Sequence, residues 1–187
     1  MTLTLKIVIG STRPGRKGPL VADWVAEQAR AHGAFDVQVV DLADIDLPLL
    51  DEAEHPMKKA YAHDHTKTWS AIIDEADAVI FVSPEYDFFA PASLVNAVQT
   101  LMQEWRYKAA ALVTYGGVSG GLRAAQVMRG LLGNVGVMAI PQGVMLPLFA
   151  THIQDDRFQP PAIAADSAGV MLGELAKWAG ALKPIRG

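Results

Sequence analysis

Five short apolar runs alternate along this chain with longer amphipathic segments, and this alternation restricts the possible folds more than any other feature. We predict strands in these runs, at residues 3–9, 36–41, 78–83, 109–115 and from 137 onward. Nearly continuous apolar runs are typical of parallel strands buried on both faces of a sheet. The segments between them predict helices on both faces, in a single α/β domain over residues 1–187. Five such units favour a doubly wound parallel sheet with the strand order 2-1-3-4-5.

The remaining segments predict the helices and two irregular regions. The helices are predicted at residues 19–32, 66–76, 92–105, 122–132 and 163–182. Residues 141–148 resemble an interrupted strand, and the connection at 42–65 is acidic and contains prolines. Such a long connection either borders a site or is a surface excursion. Its His63 and His65 lack the spacing and the companion carboxylates of a zinc site, so we predict no metal.

The composition is typical of a packed globular protein. Hydrophobic residues make up 51% of the chain, and the formal net charge of −4 gives no general attraction to nucleic acid. The sequence has no cysteine, which excludes a disulfide framework or a thiolate nucleophile. Its first residues lack a signal-peptide pattern, and no apolar run reaches the roughly 18–20 residues of a membrane span. We therefore expect a cytoplasmic protein with no membrane partner.

The loop between the first strand and the first helix has the chemistry of a phosphate site. Residues 10–18 read GSTRPGRKG, with two arginines and one lysine at a helix start, where free N–H groups attract anions. A P-loop would require a hydroxyl residue after Gly-Lys, and a dinucleotide fingerprint would require glycine where Thr12 stands. We therefore predict a mononucleotide-type monophosphate without a required metal. The alternative is an ordinary connection with solvated cations.

Two further loops should converge on the same edge of the sheet, because they follow the third and fourth parallel strands. Residues 84–91 contain Tyr86, Phe88 and Phe89, which offer flat apolar surface. Residues 116–121 are mostly glycine and offer unobstructed backbone N–H groups. Taken alone, the aromatic residues could be ordinary core or subunit interface, and the glycine run could be a flexible turn. Together with the predicted phosphate site, they suit the planar heterocycle of FMN.

The chain resembles the NAD(P)H-dependent FMN reductase family, which has a flavodoxin-like fold. The residues that carry the resemblance are GSTR at 10–13, Pro-Glu-Tyr at 84–86 with Asn96, and GGVSGGLR at 116–123. The resemblance implies that NADH or NADPH delivers hydride to the flavin N5, so no catalytic side chain is required. It also implies a small-molecule acceptor, such as a quinone, an azo dye, a free flavin, or a metal oxyanion or chelate.

The resemblance implies three groups of FMN-binding residues and an oligomer. The phosphate would be held by Ser11, Thr12, Arg13, Arg16, Lys17 and Gly18. The ribityl chain and the ring would lie along Pro84, Glu85, Tyr86, Asp87 and Phe88. The ring edge would face backbone amides of Gly116, Gly117, Val118, Ser119 and Gly120. A homodimer or homotetramer is implied, for which the candidate apolar contacts are Val95, Val98, Met102 and Trp105.

The sequence departs from the family pattern in two places, and other functions remain open. Many members have Ser-x-Asn where this chain has residues 16–19, RKGP, and asparagine where it has Asp87. A carboxylate beside the flavin would disfavour an anionic reduced ring, whereas an outward Asp87 would matter only through its backbone. One alternative is an electron-carrier flavoprotein without nicotinamide oxidation, and another is a flavin-free phosphate-binding regulator. Arg123 is either a nicotinamide contact or a surface charge.

Overall fold

The computed structural model, which describes residues 2–186, contains one five-stranded parallel sheet in the order β2-β1-β3-β4-β5. This confirms the predicted doubly wound, flavodoxin-like α/β fold. The sheet strands are β1 Leu3–Ile9, β2 Phe35–Asp41, β3 Ala78–Pro84, β4 Ala109–Tyr115 and β5 Met138–Leu146. The α-helices are α1 Gly18–His32, α2 Leu42–Ile45, α3 Asp64–Asp74, α4 Ala92–Gln99, α5 Leu122–Asn134 and α6 Ala162–Leu182. Within the described residues, 3₁₀ turns cover Pro56–Lys58, Gln103–Trp105, Phe149–His152 and Lys183–Ile185.

The core lies in two layers, one on each face of the sheet, because alternate residues of a strand point to opposite faces. On β1, Leu5 and Ile7 pack in the layer under α1 and α6, whereas Val8 packs in the layer under α3, α4 and α5. On β3, Ile80 and Phe81 divide in the same way. Burial on both faces explains why these strands are apolar at almost every position.

The fourth predicted helix is shorter than the sequence pattern suggested. Helix α4 ends at Gln99, and a separate 3₁₀ turn follows at Gln103–Trp105. Trp105 is fully buried, and its indole Nε1 donates a hydrogen bond to the Val98 carbonyl at 3.0 Å. Val98 is fully buried as well, so the prediction that these two residues supply subunit contacts is wrong.

The fifth strand runs through Pro141, and the interruption that the sequence suggested is a break in its pairing there. The pairing between β4 and β5 shifts register between Ala110 and Leu112, which marks a bulge. Arg129 on α5 supports this bulge, and its Nη2 donates to the Pro141 carbonyl at 3.0 Å. Proline is tolerated at a bulge because its missing N–H removes no ladder hydrogen bond there.

The segment after β5 also has structure that the sequence did not predict. Residues 151–161 include a short antiparallel hairpin of β6 Ile153–Gln154 and β7 Arg157–Phe158. Phe158 packs edge-to-face against Trp24 of α1, with the ring centroids 5.8 Å apart. Within residues 2–186, no helix is both long and apolar enough to cross a bilayer.

Candidate functional site

A cavity of about 390 Å³ lies at the carboxyl ends of the sheet strands. It is formed by the loops after β1, β3, β4 and β5, and its lining residues are Arg13, Arg16, Lys17, Pro84, Glu85, Tyr86, Tyr115, Gly116, Gly117, Leu148, Phe149, Ala150 and Thr151. Its volume is within the range of small-molecule and cofactor sites. The three loops singled out in the sequence therefore border one cavity.

The loop after β1 presents unpaired backbone donors at the start of α1. Within residues 2–186, the N–H groups of Thr12, Arg13 and Lys17 make no hydrogen bond to the protein. Helix α1 has no side-chain cap, so its first N–H groups also lack that partner. Donors of this kind, together with the helix dipole, form a ready anion site.

The three cations of this loop have different partners. Arg16 donates to both Asp41 oxygens, each at 2.7 Å, and to the Ser11 carbonyl at 3.0 Å. The hydrogen bond with Asp41 raises the pKa of Arg16. Arg13 donates from Nε to the Tyr86 hydroxyl at 3.1 Å. Because this acceptor is neutral, the contact does not compensate the positive charge of Arg13. Lys17 Nζ lies 3.9 Å from Asp156, an exposed carboxylate, so this pair is weak.

The other residues of this loop that were predicted to hold a phosphate lie behind or beside the cavity. Ser11 is buried and accepts a hydrogen bond from the Tyr115 hydroxyl at 3.3 Å. A Cβ at Gly18 would lie 2.5 Å from Ser11 Oγ and 2.9 Å from the Tyr115 hydroxyl, so a larger residue there would displace these hydroxyls. Burial raises the pKa of Tyr115 to about 12, which keeps its hydroxyl a donor. Thr12 is exposed and lines a separate cavity beside α2.

The loop after β3 is a tight hairpin that presents Tyr86 to the cavity. The N–H of Tyr86 donates to the Phe89 carbonyl at 2.8 Å, and the N–H of Phe89 donates back at 2.9 Å. Asp87 and Phe88, which form the turn, have φ values of 48° and 75°. Both are exposed and are not among the residues lining the cavity.

The loop after β4 contributes Gly116 and Gly117 to the cavity wall, whereas Val118, Ser119 and Gly120 are not among the lining residues. At Gly120, φ is 60° and a Cβ would lie 2.8 Å from the Pro147 nitrogen, so glycine is required by the close approach of the next loop. Val118 is exposed at the loop tip. The glycine run therefore combines two lining positions with a packing constraint.

Glu85 connects the loop after β3 to the start of α5. Its side chain is 5% exposed and accepts hydrogen bonds from Ser119 Oγ at 3.1 Å, the Arg123 N–H at 3.1 Å and Arg123 Nε at 2.6 Å. Burial favours a higher pKa for Glu85, but these hydrogen bonds outweigh it and lower the pKa. The Arg123 guanidinium also stacks on Phe88, 3.7 Å from the ring centroid.

The sequence did not predict the part of the cavity wall that follows β5. Leu148, Phe149, Ala150 and Thr151 line the cavity, together with Tyr115 from the end of β4. The Leu148 N–H donates to the Gly117 carbonyl at 2.9 Å, which joins this wall to the glycine loop. The only available signal was topological, since β5 ends at the same edge as the other parallel strands.

Asn96 anchors the acidic connection at residues 42–65, and the two histidines lie within it. The Asn96 side chain donates to the Pro48 carbonyl at 2.8 Å and accepts from the Leu50 N–H at 3.0 Å. His63 and His65 stack on each other beside Asp51, with ring centroids 5.1 Å apart. Among residues 2–186, no group of three or more His, Cys, Asp or Glu side chains could hold a metal.

Comparison with known proteins shows the family of the chain. Residues 3–151 match the family described as NADPH-dependent FMN reductase. The chain is 38% identical to an NAD(P)H-dependent FMN reductase of Schizosaccharomyces pombe over 68% of this chain and 64% of that protein. It is 31% identical to one of Saccharomyces cerevisiae over 80% and 90%. An NADPH:quinone oxidoreductase of Arabidopsis thaliana is 33% identical over 55% and 50%.

The fold also matches solved flavoenzymes. FerB, an NAD(P)H:acceptor oxidoreductase of Paracoccus denitrificans, aligns with a TM-score of 0.73 at 20% identity, covering 96% of this chain and 98% of that chain. At the level of the family, the predicted oxidoreductase class, with FMN as cofactor and NAD(P)H as reductant, is confirmed. The chain belongs to the NADPH-dependent FMN reductase family.

Proposed function

We propose that this cavity binds FMN with its phosphate at the loop after β1 and its ring between the loops after β3, β4 and β5. The observation that carries the proposal is that one cavity joins anion donors to flat, unobstructed surface. Arg13 and Lys17 line it beside the free backbone N–H groups of the loop after β1, where the phosphate would bind. Tyr86, whose hydroxyl accepts from Arg13, and the Gly116-Gly117 backbone also line it, and a flat heterocycle would pack against them.

The charge of the donor set also supports FMN as the ligand. A phosphate monoester carries about −1.5 to −2 charges at pH 7, and Arg13 and Lys17 together supply two positive charges that no strong ion pair neutralises. Bound FMN would supply the hydride acceptor for NAD(P)H and the donor for the second substrate. The protein's part is to hold the phosphate, to orient the ring and to limit water around it.

The second substrate is proposed to be a small organic acceptor of the quinone type. Apolar side chains are exposed around the cavity, among them Phe89 and Leu148, and they suit a planar apolar substrate better than a small oxyanion. Azo dyes, free flavins and metal chelates or oxyanions are the competing acceptors. Steady-state rates with matched concentrations of each class would decide, and parallel double-reciprocal plots are expected for exchange at one shared pocket.

The same exposed apolar rim supports a homodimer or homotetramer. Phe88, Phe89, Val118 and Leu148 are exposed on three neighbouring loops, and apolar surface of this kind is typical of an interaction site. Light scattering during gel filtration should give twice or four times the 20.1 kDa chain mass. A single-chain mass would refute this part of the proposal.

We further propose that residues 1–187 act as one domain and that the protein is cytoplasmic.

The first test is the absorbance spectrum of the purified protein, before and after anaerobic addition of NADH or NADPH. A flavin spectrum that bleaches rapidly supports the reductase. A flavin that binds but remains oxidised indicates the electron-carrier alternative, and no flavin after reconstitution with FMN contradicts the proposed site.

Arg13→Ala should weaken FMN binding by about 1.5–3 kcal/mol, because it removes a charge-assisted phosphate contact. Arg30→Ala, the same change at an exposed position of α1, is the control.

A further inference from the structure

We infer that Arg16 is a positioning residue, which shapes the phosphate loop through Asp41 and does not itself bind the phosphate. The inference rests on the proposed FMN site. The family resemblance implied that Arg16 is a phosphate ligand, and Arg16 does line the cavity. Its guanidinium, however, already has three hydrogen bonds to the protein, two to Asp41 and one to the Ser11 carbonyl.

The geometry of the pair is that of a structural connection. Arg16 and Asp41 have side chains only 18% and 16% exposed, and both hydrogen bonds between them are 2.7 Å long. A bidentate pair of this kind fixes the orientation of the guanidinium as well as its position. Because Arg16 also donates to the Ser11 carbonyl, it fixes the backbone beside the free N–H groups of Thr12 and Arg13.

Asp41 extends the connection beyond the loop. Its Oδ1 accepts the Ala43 N–H at 3.0 Å and so caps α2. The phosphate loop, the end of β2 and the start of α2 are therefore held by one ion pair. Swinging Arg16 toward a phosphate would leave a largely buried Asp41 carboxylate without its cation, which is unfavourable.

The direction in which the FMN Kd changes in one variant distinguishes a phosphate ligand from a positioning residue. Asp41→Asn removes one negative charge next to the loop but keeps an oxygen that can cap α2. If Arg16 were a phosphate ligand restrained by Asp41, FMN would bind more tightly to this variant. If Arg16 is a positioning residue, the loop loses its bidentate support and FMN binds less tightly, with a Kd raised on the order of tenfold or more.

A second variant tests the geometry without changing the charge. Arg16→Lys keeps the positive charge, but one ammonium group cannot reproduce the planar fork that reaches Asp41 and the Ser11 carbonyl together. We expect a similar rise in the FMN Kd. Asp44→Asn is the matched control, since Asp44 is an exposed carboxylate near Arg16 that raises its pKa only through charge. It should change the Kd less than about twofold, because a long-range exposed charge is screened.

The measurement is the Kd of FMN and of riboflavin for the apoprotein of each form, by quenching of flavin fluorescence. Riboflavin lacks the phosphate, so its Kd should stay within about twofold in all variants if the effect is confined to the phosphate loop. Thermal unfolding without flavin shows whether each variant is folded. If Asp41→Asn does not fold, the FMN Kd of Arg16→Lys tests the inference.

Three results are informative in different ways. Weaker FMN binding in Asp41→Asn and Arg16→Lys, with riboflavin and Asp44→Asn unaffected, supports the inference. Unchanged or tighter FMN binding in Asp41→Asn overturns it while leaving the FMN site intact. A native protein that binds FMN no more tightly than riboflavin overturns the proposed phosphate site itself.

Discussion

Replacement of Glu85 by glutamine should destabilise the protein out of proportion to the size of the change. The carboxylate is 5% exposed and accepts from Ser119 Oγ, the Arg123 N–H and Arg123 Nε. Glutamine has nearly the same shape, but it replaces one acceptor oxygen with an NH₂ donor. At least one of the donors that faced the replaced oxygen, from Ser119 or Arg123, is then left without an acceptor.

The magnitude follows from these contacts. Leaving one buried donor without an acceptor costs roughly 1–3 kcal/mol, and replacing a charged acceptor by a neutral one weakens the remaining bonds by about 1 kcal/mol. The side-chain ion pair adds little to this, because Arg123 is 46% exposed and its interaction is screened by water. We expect the free energy of unfolding to fall by about 2–4 kcal/mol.

Thermal unfolding measures this directly. For a chain of this length, 1 kcal/mol corresponds to roughly 2–4 °C, so Glu85→Gln should lower the Tm by about 5–15 °C. Glu174→Gln is the control, since Glu174 forms a single exposed pair with Lys177 at 2.6 Å. An equal Tm for the two variants would show that the hydrogen bonds to Glu85 contribute no more than a surface pair.

The same variant has a defined pH dependence. The pKa of Glu85 is lowered in the native protein, so the native state binds fewer protons at this site than the unfolded state does. The stabilisation is therefore complete above the ordinary glutamate pKa of about 4.3 and is lost as the pH falls through the lower native value. The stability difference between the native protein and Glu85→Gln should be constant near neutrality and shrink in acid. A difference that persists unchanged in acid would contradict the assigned charge.

Three further variants test other parts of the structure. Asn96→Leu removes both hydrogen bonds to the acidic connection, so amide hydrogen exchange at Leu50 should speed up by about tenfold or more. Arg129→Met removes the support of the β5 bulge and should cost about 1–3 kcal/mol in urea unfolding. Burial lowers the pKa of Lys108 to about 8, so the unfolded state binds more protons between pH 8 and 10. The native protein should gain up to about 1.4 kcal/mol per pH unit there relative to Lys108→Gln, by thermal unfolding at each pH.

The strands were predictable because burial on both faces makes them apolar throughout, and the strand order followed from their alternation with helices. The ends of some elements were not. Residues 92–105 continue an apolar pattern, yet the chain leaves the α-helix after Gln99 because Trp105 turns inward to donate to the Val98 carbonyl. The β5 bulge depends on Arg129, a contact between side chain and backbone that no local pattern reports.

The candidate site was predictable where the chemistry is local and unpredictable where it depends on a distant partner. The proposed phosphate loop could be singled out from its glycines, its cations and its position after β1. That Arg16 is paired was not visible, because Asp41 lies 25 residues further along the chain. Asn96 carried the family resemblance but anchors a loop away from the cavity, through contacts at 46 and 48 residues' separation.

The substitution at Asp87 has a backbone explanation. Asp87 and Phe88 are the central residues of a two-residue hairpin, and both have positive φ. Asparagine and aspartate are the non-glycine residues best suited to that region, so aspartate can replace the family's asparagine without a role at the flavin. Phe88 is the strained member of the pair, since a bulky residue at φ 75° costs about 1–2 kcal/mol. The paired bonds between Tyr86 and Phe89 and the stacking of Arg123 on the ring hold it there. This strained but supported turn places Tyr86 at the cavity and leaves Asp87 exposed to solvent.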